Sequence, residues 1–347
     1  MSKPRILVIY TGGTIGMGHN PHTGALEPLR FSHFLQAMPE MALVGAEVDV
    51  IQFDPPIDSC EMDPKLWAHL AGIIGDNYAR FDGFVILHGT DTMAYTASAL
   101  SFMLQNLTKP VILTGSQLPI GMLRTDGKEN VMTSIELAAL KRPDGRAMVP
   151  EVCIYFNGSL LRGNRATKIN ADGFEAFDSH NYTHLCDAGV EFTFHPHHIL
   201  KPDWDKPLKV HREMDPNVLV FSLIPGIQPS LVDHLLGIPH LKGIIMRTYG
   251  SGNAPHLEWM ERLLDRAARR NIVIVNISQC LRGTVQMERY ETGLHLLNKG
   301  VISGKDCTVE AAATKLMHLS ALFPGDVEQV RAHMSRSLAG ELTEKME

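Results

Sequence analysis

Apolar residues gather in short unbroken runs at Ile6–Tyr10, Gly83–Leu87, Pro110–Thr114, Glu151–Phe156, Val218–Leu223, Gly243–Arg247 and Ile272–Ile277. Each run is rich in Val, Ile or Leu and is bounded by Gly, Pro or a polar residue, the pattern of a strand covered on both faces. Between them, apolar positions recur at helical spacing over Pro64–Arg80, Met93–Leu107, Gly127–Ala139, Leu257–Arg270 and Thr308–Ala321. Asp63 before Pro64 reads as an N-cap followed by proline at the first helical position. Buried strands alternating with amphipathic helices predict an α/β fold of mostly parallel sheets flanked by helices.

Periodicity fails between about Glu191 and Pro216, where Phe194-His-Pro-His-His198, Pro202 and Pro207 concentrate turn formers. So long an irregular stretch is unusual inside one domain. Residues 193–215 are therefore expected to link an N-terminal α/β domain, 1–192, to a C-terminal α/β domain, 216–347. His195, His197 and His198 have no acidic or cysteine partner close in sequence, so they read as solvated histidines rather than a metal site.

A length of 347 residues suits two domains. Thirty-two basic and 38 acidic side chains leave a net charge of −6, which opposes a nucleic-acid partner held by a positive field. Five cysteines, Cys60, Cys153, Cys186, Cys280 and Cys307, stand far apart without a C-x-x-C pair. They offer neither a disulfide framework nor a zinc knuckle and suit a reducing compartment. The run Ile6–Tyr10 is too short for a signal-peptide core, and nothing approaches the about 20 apolar residues of a membrane helix. The expectation is a cytoplasmic, soluble protein with no membrane or nucleic-acid partner.

Four segments carry candidate chemistry. The first strand runs into Tyr10-Thr-Gly-Gly-Thr-Ile-Gly-Met17, a double glycine at the carboxyl end of a strand, where α/β sheets open their ligand crevice. A dinucleotide site would need G-x-G-x-x-G opening a helix, which is not here. The second is His88-Gly-Thr-Asp-Thr-Met93, two hydroxyls and a carboxylate at another strand end. The plainer reading is that Asp91 or Thr92 only caps the helix starting at Met93. Third, Lys168 ends Arg162-Gly-Asn-Arg-Ala-Thr-Lys168; near Thr90 and Asp91 it could take a proton from a hydroxyl if burial kept it neutral, although alone it reads as a surface lysine. The fourth, Asp58-Ser-Cys-Glu-Met62, is by itself a polar loop. No G-x-S-x-G elbow places a serine. Threonine hydroxyls, a lysine and an aspartate remain, a nucleophile set for acyl transfer without metal.

Thr11-Gly-Gly-Thr-Ile-Gly-Met17 together with His88-Gly-Thr-Asp-Thr-Met93 resembles the two signature motifs of bacterial L-asparaginases, above all the cytoplasmic type I enzymes. The likeness extends through Asp82–Met103, Thr114-Gly-Ser-Gln117, Arg162-Gly-Asn-Arg165, Tyr249-Gly-Ser-Gly-Asn-Ala-Pro255 and Gly340-Glu-Leu-Thr343, six motifs in order over nearly the whole chain. The resemblance implies hydrolysis of L-asparagine to L-aspartate and ammonia by double displacement, with no cofactor and no metal, in a homo-oligomer built as a dimer of dimers. It makes Thr14 the nucleophile and Thr90, Lys168 and Asp91 a second triad with Lys168 as base. Asp58, Ser59 and Cys60 would hold the α-groups of the substrate, with Asp91 also meeting the α-amino group. A second asparagine site for allosteric activation would comprise Thr167, Arg247, Asn253, Ser278 and Cys280.

Two departures accompany the likeness. Many members carry a tyrosine in the loop after the first motif, whereas Thr23-Gly-Ala-Leu-Glu-Pro28 has Ala25 or Leu26 there. Cys60 stands where serine or glutamine is more usual. A broader glutaminase-asparaginase, or an amino-acid-binding sensor of the same fold that has lost catalysis, are the alternatives.

Overall fold

The computed structural model describes residues 3–19, 26–28 and 38–344. The chain divides into two compact units, Met1–Arg212 and Glu213–Glu347. In the first, one sheet is built from β1 (Arg5–Gly12), β2 (Glu47–Ile57), β3 (Gly83–Leu87), β4 (Val111–Thr114), β5 (Val152–Phe156), β6 (Ser159–Arg162), β7 (Cys186–Ala188) and β8 (Phe192–Phe194). Their order is β8-β7-β6-β5-β4-β3-β1-β2. The β2-β1-β3-β4-β5 portion is parallel, and β6, β7 and β8 continue it antiparallel.

That order matters for the site. The chain passes from β1 to β2 on one side and then crosses to β3 on the other. Such a reversal of winding opens a crevice at the carboxyl ends of the two strands concerned, here β1 and β3. Helices α1 (Pro64–Asn77), α2 (Met93–Met103) and α3 (Gly127–Ala139) accompany the parallel strands. Ile6, Val8, Val85, Leu87 and Ile112 pack in one core with Val131 and Ile135 of α3. Each such side chain stabilises the fold by about 1.5–3 kcal/mol.

The apolar runs are strands and the periodic segments are helices, with small differences at their ends. Asp63 caps α1 by accepting from Leu66 N at 2.9 Å, with Pro64 in the first turn. Helix α2 stops at Met103 rather than Leu107, because Leu104–Gln105 pairs with Lys209–Val210 and Asn106 turns left-handed at φ 59°. Strand β2 gave no buried run: it lies at the sheet edge, mostly half-exposed, where Pro55 and Pro56 are tolerated.

The segment expected as a linker, 193–215, stays with the first unit as far as Arg212. It begins inside β8, and His195 Nε2 meets Asp187 Oδ2 of β7 at 2.9 Å rather than standing in solvent. Its lost periodicity reflects short edge pieces: a 3-10 turn over Pro196–His198 and the two-residue strand Lys209–Val210.

The second unit holds the parallel sheet β9 (Val218–Ser222), β10 (Gly243–Thr248), β11 (Val273–Ser278) and β12 (Ile302–Ser303), in that order. Around it lie α4 (Pro229–Leu235), α5 (Glu258–Arg269), α6 (Glu291–Asn298), α7 (Val309–Leu322) and α8 (Val327–Met334). On α7, Lys315 Nζ meets Glu341 Oε1 at 2.6 Å, both side chains wholly buried. Glu341 also accepts from Leu338 N and Ala339 N, so Gly340-Glu-Leu-Thr343 is a structural clasp. Among the described residues, no helix is long and apolar enough to cross a membrane.

A second buried pair braces the first unit. Arg162 Nε lies 2.6 Å from Glu151 Oε2, with side chains 4% and 3% exposed. Glu151 Oε1 accepts from Leu200 N at 2.8 Å, Arg162 Nη2 donates to His198 O at 2.6 Å, and the guanidinium sits 4.4 Å from the Tyr182 ring centre. Removing one partner of such a pair strands a charge out of water. Glu151→Ala should therefore lower the unfolding free energy by about 3–5 kcal/mol. The shift of the urea midpoint measures this, and a loss below about 1 kcal/mol would show the pair to be dispensable.

Candidate active site

The carboxyl-end loops of β1, β2 and β3 touch through residues that have almost no side chain. Gly12 and Gly13 take φ of 133° and 87°, open to glycine and strained for other residues, and turn the chain out of β1. A Cβ on Gly13 would stand 2.5 Å from Cα and N of Gly89, and one on Gly89 would stand 2.5 Å from Ser59 Oγ. Thr14 and Thr90 each follow one of the touching glycines, so this contact presents both hydroxyl-bearing residues at the crevice. Thr11 is buried and donates to Leu87 O at 2.9 Å, tying β1 to β3. Thr92 occupies the N-cap position of α2 without capping it; its hydroxyl donates instead to Ser59 O at 2.6 Å.

Lys168 is delivered by the segment after β6. Gly163 lets that segment press against Ala97 and Val152, and Arg162 and Arg165 lie buried against the Tyr182 ring. The Arg162–Arg165 motif is thus a structural bracket, and Lys168 emerges beyond it on the short strand Thr167–Lys168, paired with Phe177–Asp178. Lys168 Nζ donates to Thr90 Oγ1 at 2.8 Å and to Asp91 Oδ1 at 2.6 Å. Its side chain is 19% exposed and that of Asp91 67%, so this pair adds little stability.

Gln117, shortly after β4, belongs to the Thr114–Gln117 motif, but sequence alone assigns it no role. Thr90 Oγ1 donates to Gln117 Oε1 at 3.2 Å, while Gln117 Nε2 donates to Ala171 O and Gly173 O at 3.1 and 3.0 Å. Asp126, just before α3, accepts from Gln117 N and Leu118 N and fixes that turn. Thr90 is therefore held from two sides, accepting from Lys168 and donating to Gln117.

Asp58 Oδ1 accepts from Cys60 N at 3.0 Å, and that bond keeps its carboxyl below the usual range. Asp58 in turn pushes the exposed Cys60 thiol up. At neutral pH the loop offers a carboxylate and an uncharged thiol. Of the two positions where a tyrosine is more usual, Ala25 lies outside the described residues, and Leu26 opens the short strand Leu26–Pro28, which pairs antiparallel with Met17–His19.

Behind the crevice, His88 is wholly buried. Trp67 Nε1 donates to Thr96 Oγ1 at 3.0 Å, which leaves the Thr96 hydroxyl to donate to His88 Nε2 at 2.9 Å. Nδ1 then carries the ring proton and donates to Gly89 O at 2.6 Å, orienting the Gly89–Thr90 peptide. Sequence pattern gave no sign of this chain of bonds.

Of the expected effector residues, Thr167 belongs to the first unit. Arg247, Asn253, Ser278 and Cys280 belong to the second, at the carboxyl edge of its sheet. Thr248 pairs with Ser278 in register, and Tyr249 bridges Asn253. Ser278 Oγ donates to Gly250 O at 2.6 Å and accepts from Cys280 N at 2.9 Å. Arg247 Nε is buried without a hydrogen-bond partner, an arrangement open to an anionic ligand.

Residues 5–199 match the family model described as Asparaginase, N-terminal, and residues 217–334 match the Glutaminase/Asparaginase C-terminal domain. L-asparaginase 1 of Escherichia coli strain K12 is 43% identical over 355 residues, covering 99% of both chains. The crystal structure of L-asparaginase I from Vibrio cholerae matches with a TM-score of 0.87 at 39% identity, covering 99% of this chain and 100% of that one. The 60 kDa lysophospholipase of Mus musculus is 39% identical over 98% of this chain and 62% of its own length.

Burial pushes His88 down to about 4, against 6.5 for an ordinary histidine. Between those pH values the unfolded chain binds a proton that the folded chain refuses. Stability should thus be unaffected by this group above pH 6.5 and fall by about 3 kcal/mol as pH drops to 4. Urea unfolding across that window reads the slope, and His88→Gln should flatten it; an unchanged slope would remove His88 as its source.

Proposed function

The chain belongs to the asparaginase family, and from that premise we propose that it hydrolyses L-asparagine to L-aspartate and ammonia. The observation that carries the reading is the Thr90–Lys168–Asp91 hydrogen-bonded set beside the Gly13–Gly89 contact that presents Thr14. Hydroxyls, an ammonium, carboxylates and an amide suit a short zwitterionic amide better than a lipid. Such a substrate offers little apolar area, so charge-assisted hydrogen bonds at its α-groups supply the affinity. Asp58, Ser59 and Cys60, with Asp91, take that role here.

In the first step the Thr14 oxygen bonds to the side-chain amide carbon. As the C–N bond breaks, the hydroxyl proton ends on the leaving nitrogen, which departs as ammonia. Water then bonds to the acyl carbon, the Thr14 ester bond breaks, and one water proton returns to Thr14. Lys168 acts on protons through Thr90, and Asp91 orients Lys168. Backbone N–H groups of the strand-end turns stabilise the oxyanion, each donor worth about 3–4 kcal/mol.

Arg247, with Asn253, Ser278 and Cys280 of the second unit, forms an effector site for asparagine in this reading, Arg247 gripping its α-carboxylate. The assembly is a dimer of dimers. The compartment is the cytoplasm, which suits five cysteines that form no disulfide, two of them exposed.

Ammonia release from asparagine and glutamine tests the catalytic reading. Thr14→Ala should lower kcat by about 10⁴-fold or more, and Lys168→Met by about 10²–10⁴-fold. No turnover of either amide by the wild type would overturn it, and equal turnover would make the enzyme the broader glutaminase-asparaginase. For the effector site, wild type should give a sigmoidal asparagine curve that Arg247→Ala makes hyperbolic. A hyperbolic wild-type curve, or a sigmoid that survives the substitution, removes that site.

A further inference from the structure

We propose that His256, Glu261 and His295 of the second unit form a binding site for a divalent transition-metal ion of the Zn²⁺ type. His256 follows the Tyr249–Pro255 turn, Glu261 lies in the first turn of α5, and His295 lies on α6. His256 Nε2 is 3.4 Å and His295 Nε2 2.5 Å from the same atom, Glu261 Oε1. All three ligand atoms lie within 4.8 Å of one another. The two imidazoles stack with centroids 4.3 Å apart and planes at 24°. A tetrahedral ion with bonds of about 2.0–2.1 Å spaces its ligand atoms about 3.3 Å apart, so side-chain shifts of less than about 1 Å would complete the site.

A second observation points to a ligand. Glu261 Oε1 and His295 Nε2 are buried, and neither has a hydrogen-bond partner. They stand 2.5 Å apart as an ion pair yet make no aligned hydrogen bond, and a cation shared between them would supply the partner that both lack. Lys299 Nζ holds the other carboxylate oxygen, Glu261 Oε2, at 3.1 Å and is itself held by Asp265 at 2.8 Å. That contact orients the carboxylate and leaves Oε1 for the metal.

Exposure of the side chains runs from 54% at His256 through 29% at Glu261 to 14% at His295. The ion would enter from solvent and keep water as a further ligand. Two imidazoles and one carboxylate favour Zn²⁺ and its neighbours over Mg²⁺ or Ca²⁺. The ion would also brace a contact already present: Thr292 Oγ1 of α6 donates to Asn253 Oδ1 at 3.0 Å, three residues before each histidine. Metal would then clamp the 253–256 turn to α6 at a second point.

The test uses the full chain, stripped with chelator and titrated first with Co²⁺ and then with Zn²⁺. The expected result is one equivalent of Co²⁺ with the visible bands of a four-coordinate nitrogen and oxygen site, displaced by Zn²⁺. His256→Ala, at an exposed position, and Glu261→Gln should each weaken binding at least about ten-fold. Cys60→Ser and Cys280→Ser should leave it unchanged, which separates the site from the exposed thiols. No stoichiometric uptake, bands that survive His256→Ala, or bands lost in a cysteine variant would overturn the proposal.

Discussion

The contact between Gly13 and Gly89 sets the geometry from which the other groups of the crevice take their places. Two backbones approach within a distance that no Cβ allows, and Ser59 closes the third side. Because Thr14 and Thr90 follow these glycines directly, their separation is governed by main-chain packing rather than by rotamer choice. The strand order supplies the rest: reversal of winding between β1 and β3 puts both loops at the same sheet edge without any long excursion.

Within the two units, the buried polar groups divide by task. Glu151 with Arg162, Lys315 with Glu341, and the His88–Thr96–Trp67 chain are deeply buried and mutually satisfied, so they hold backbone in place. Lys168 and Asp91 are more open to solvent and share their bonds with a hydroxyl that also reaches Gln117. The first group costs much to disturb and does no chemistry. The second is loosely priced in stability, which leaves its protons free to be exchanged with a substrate.

Much of this was legible in the chain. The parallel strands are covered on both faces, so they read as unbroken Val, Ile and Leu runs, and the hydroxyl motifs sit at their carboxyl ends as expected. Edge strand β2 was not legible, since half-exposure and two prolines erase the apolar run. Helix α6 is short, and its buried face contributes little more than Gly293 and Leu296, too little for a clear period. The partnership of Thr90 with Gln117 spans 27 residues, and that with Lys168 spans 78. No local pattern encodes such pairings. The Arg162–Arg165 motif carries no role legible in sequence: only burial against Tyr182 and beside Glu151 shows its charges to be scaffold.

The Glu151–Arg162 pair also bears on the direction in which the chain is made. Its hydrogen bonds are completed by His198 O and Leu200 N, residues synthesised well after both charges. Until they leave the ribosome, a carboxylate just before β5 and a guanidinium at the end of β6 lack part of their shell and resist dehydration. The shell of that pair is therefore complete only once the segment just beyond β8 is in place.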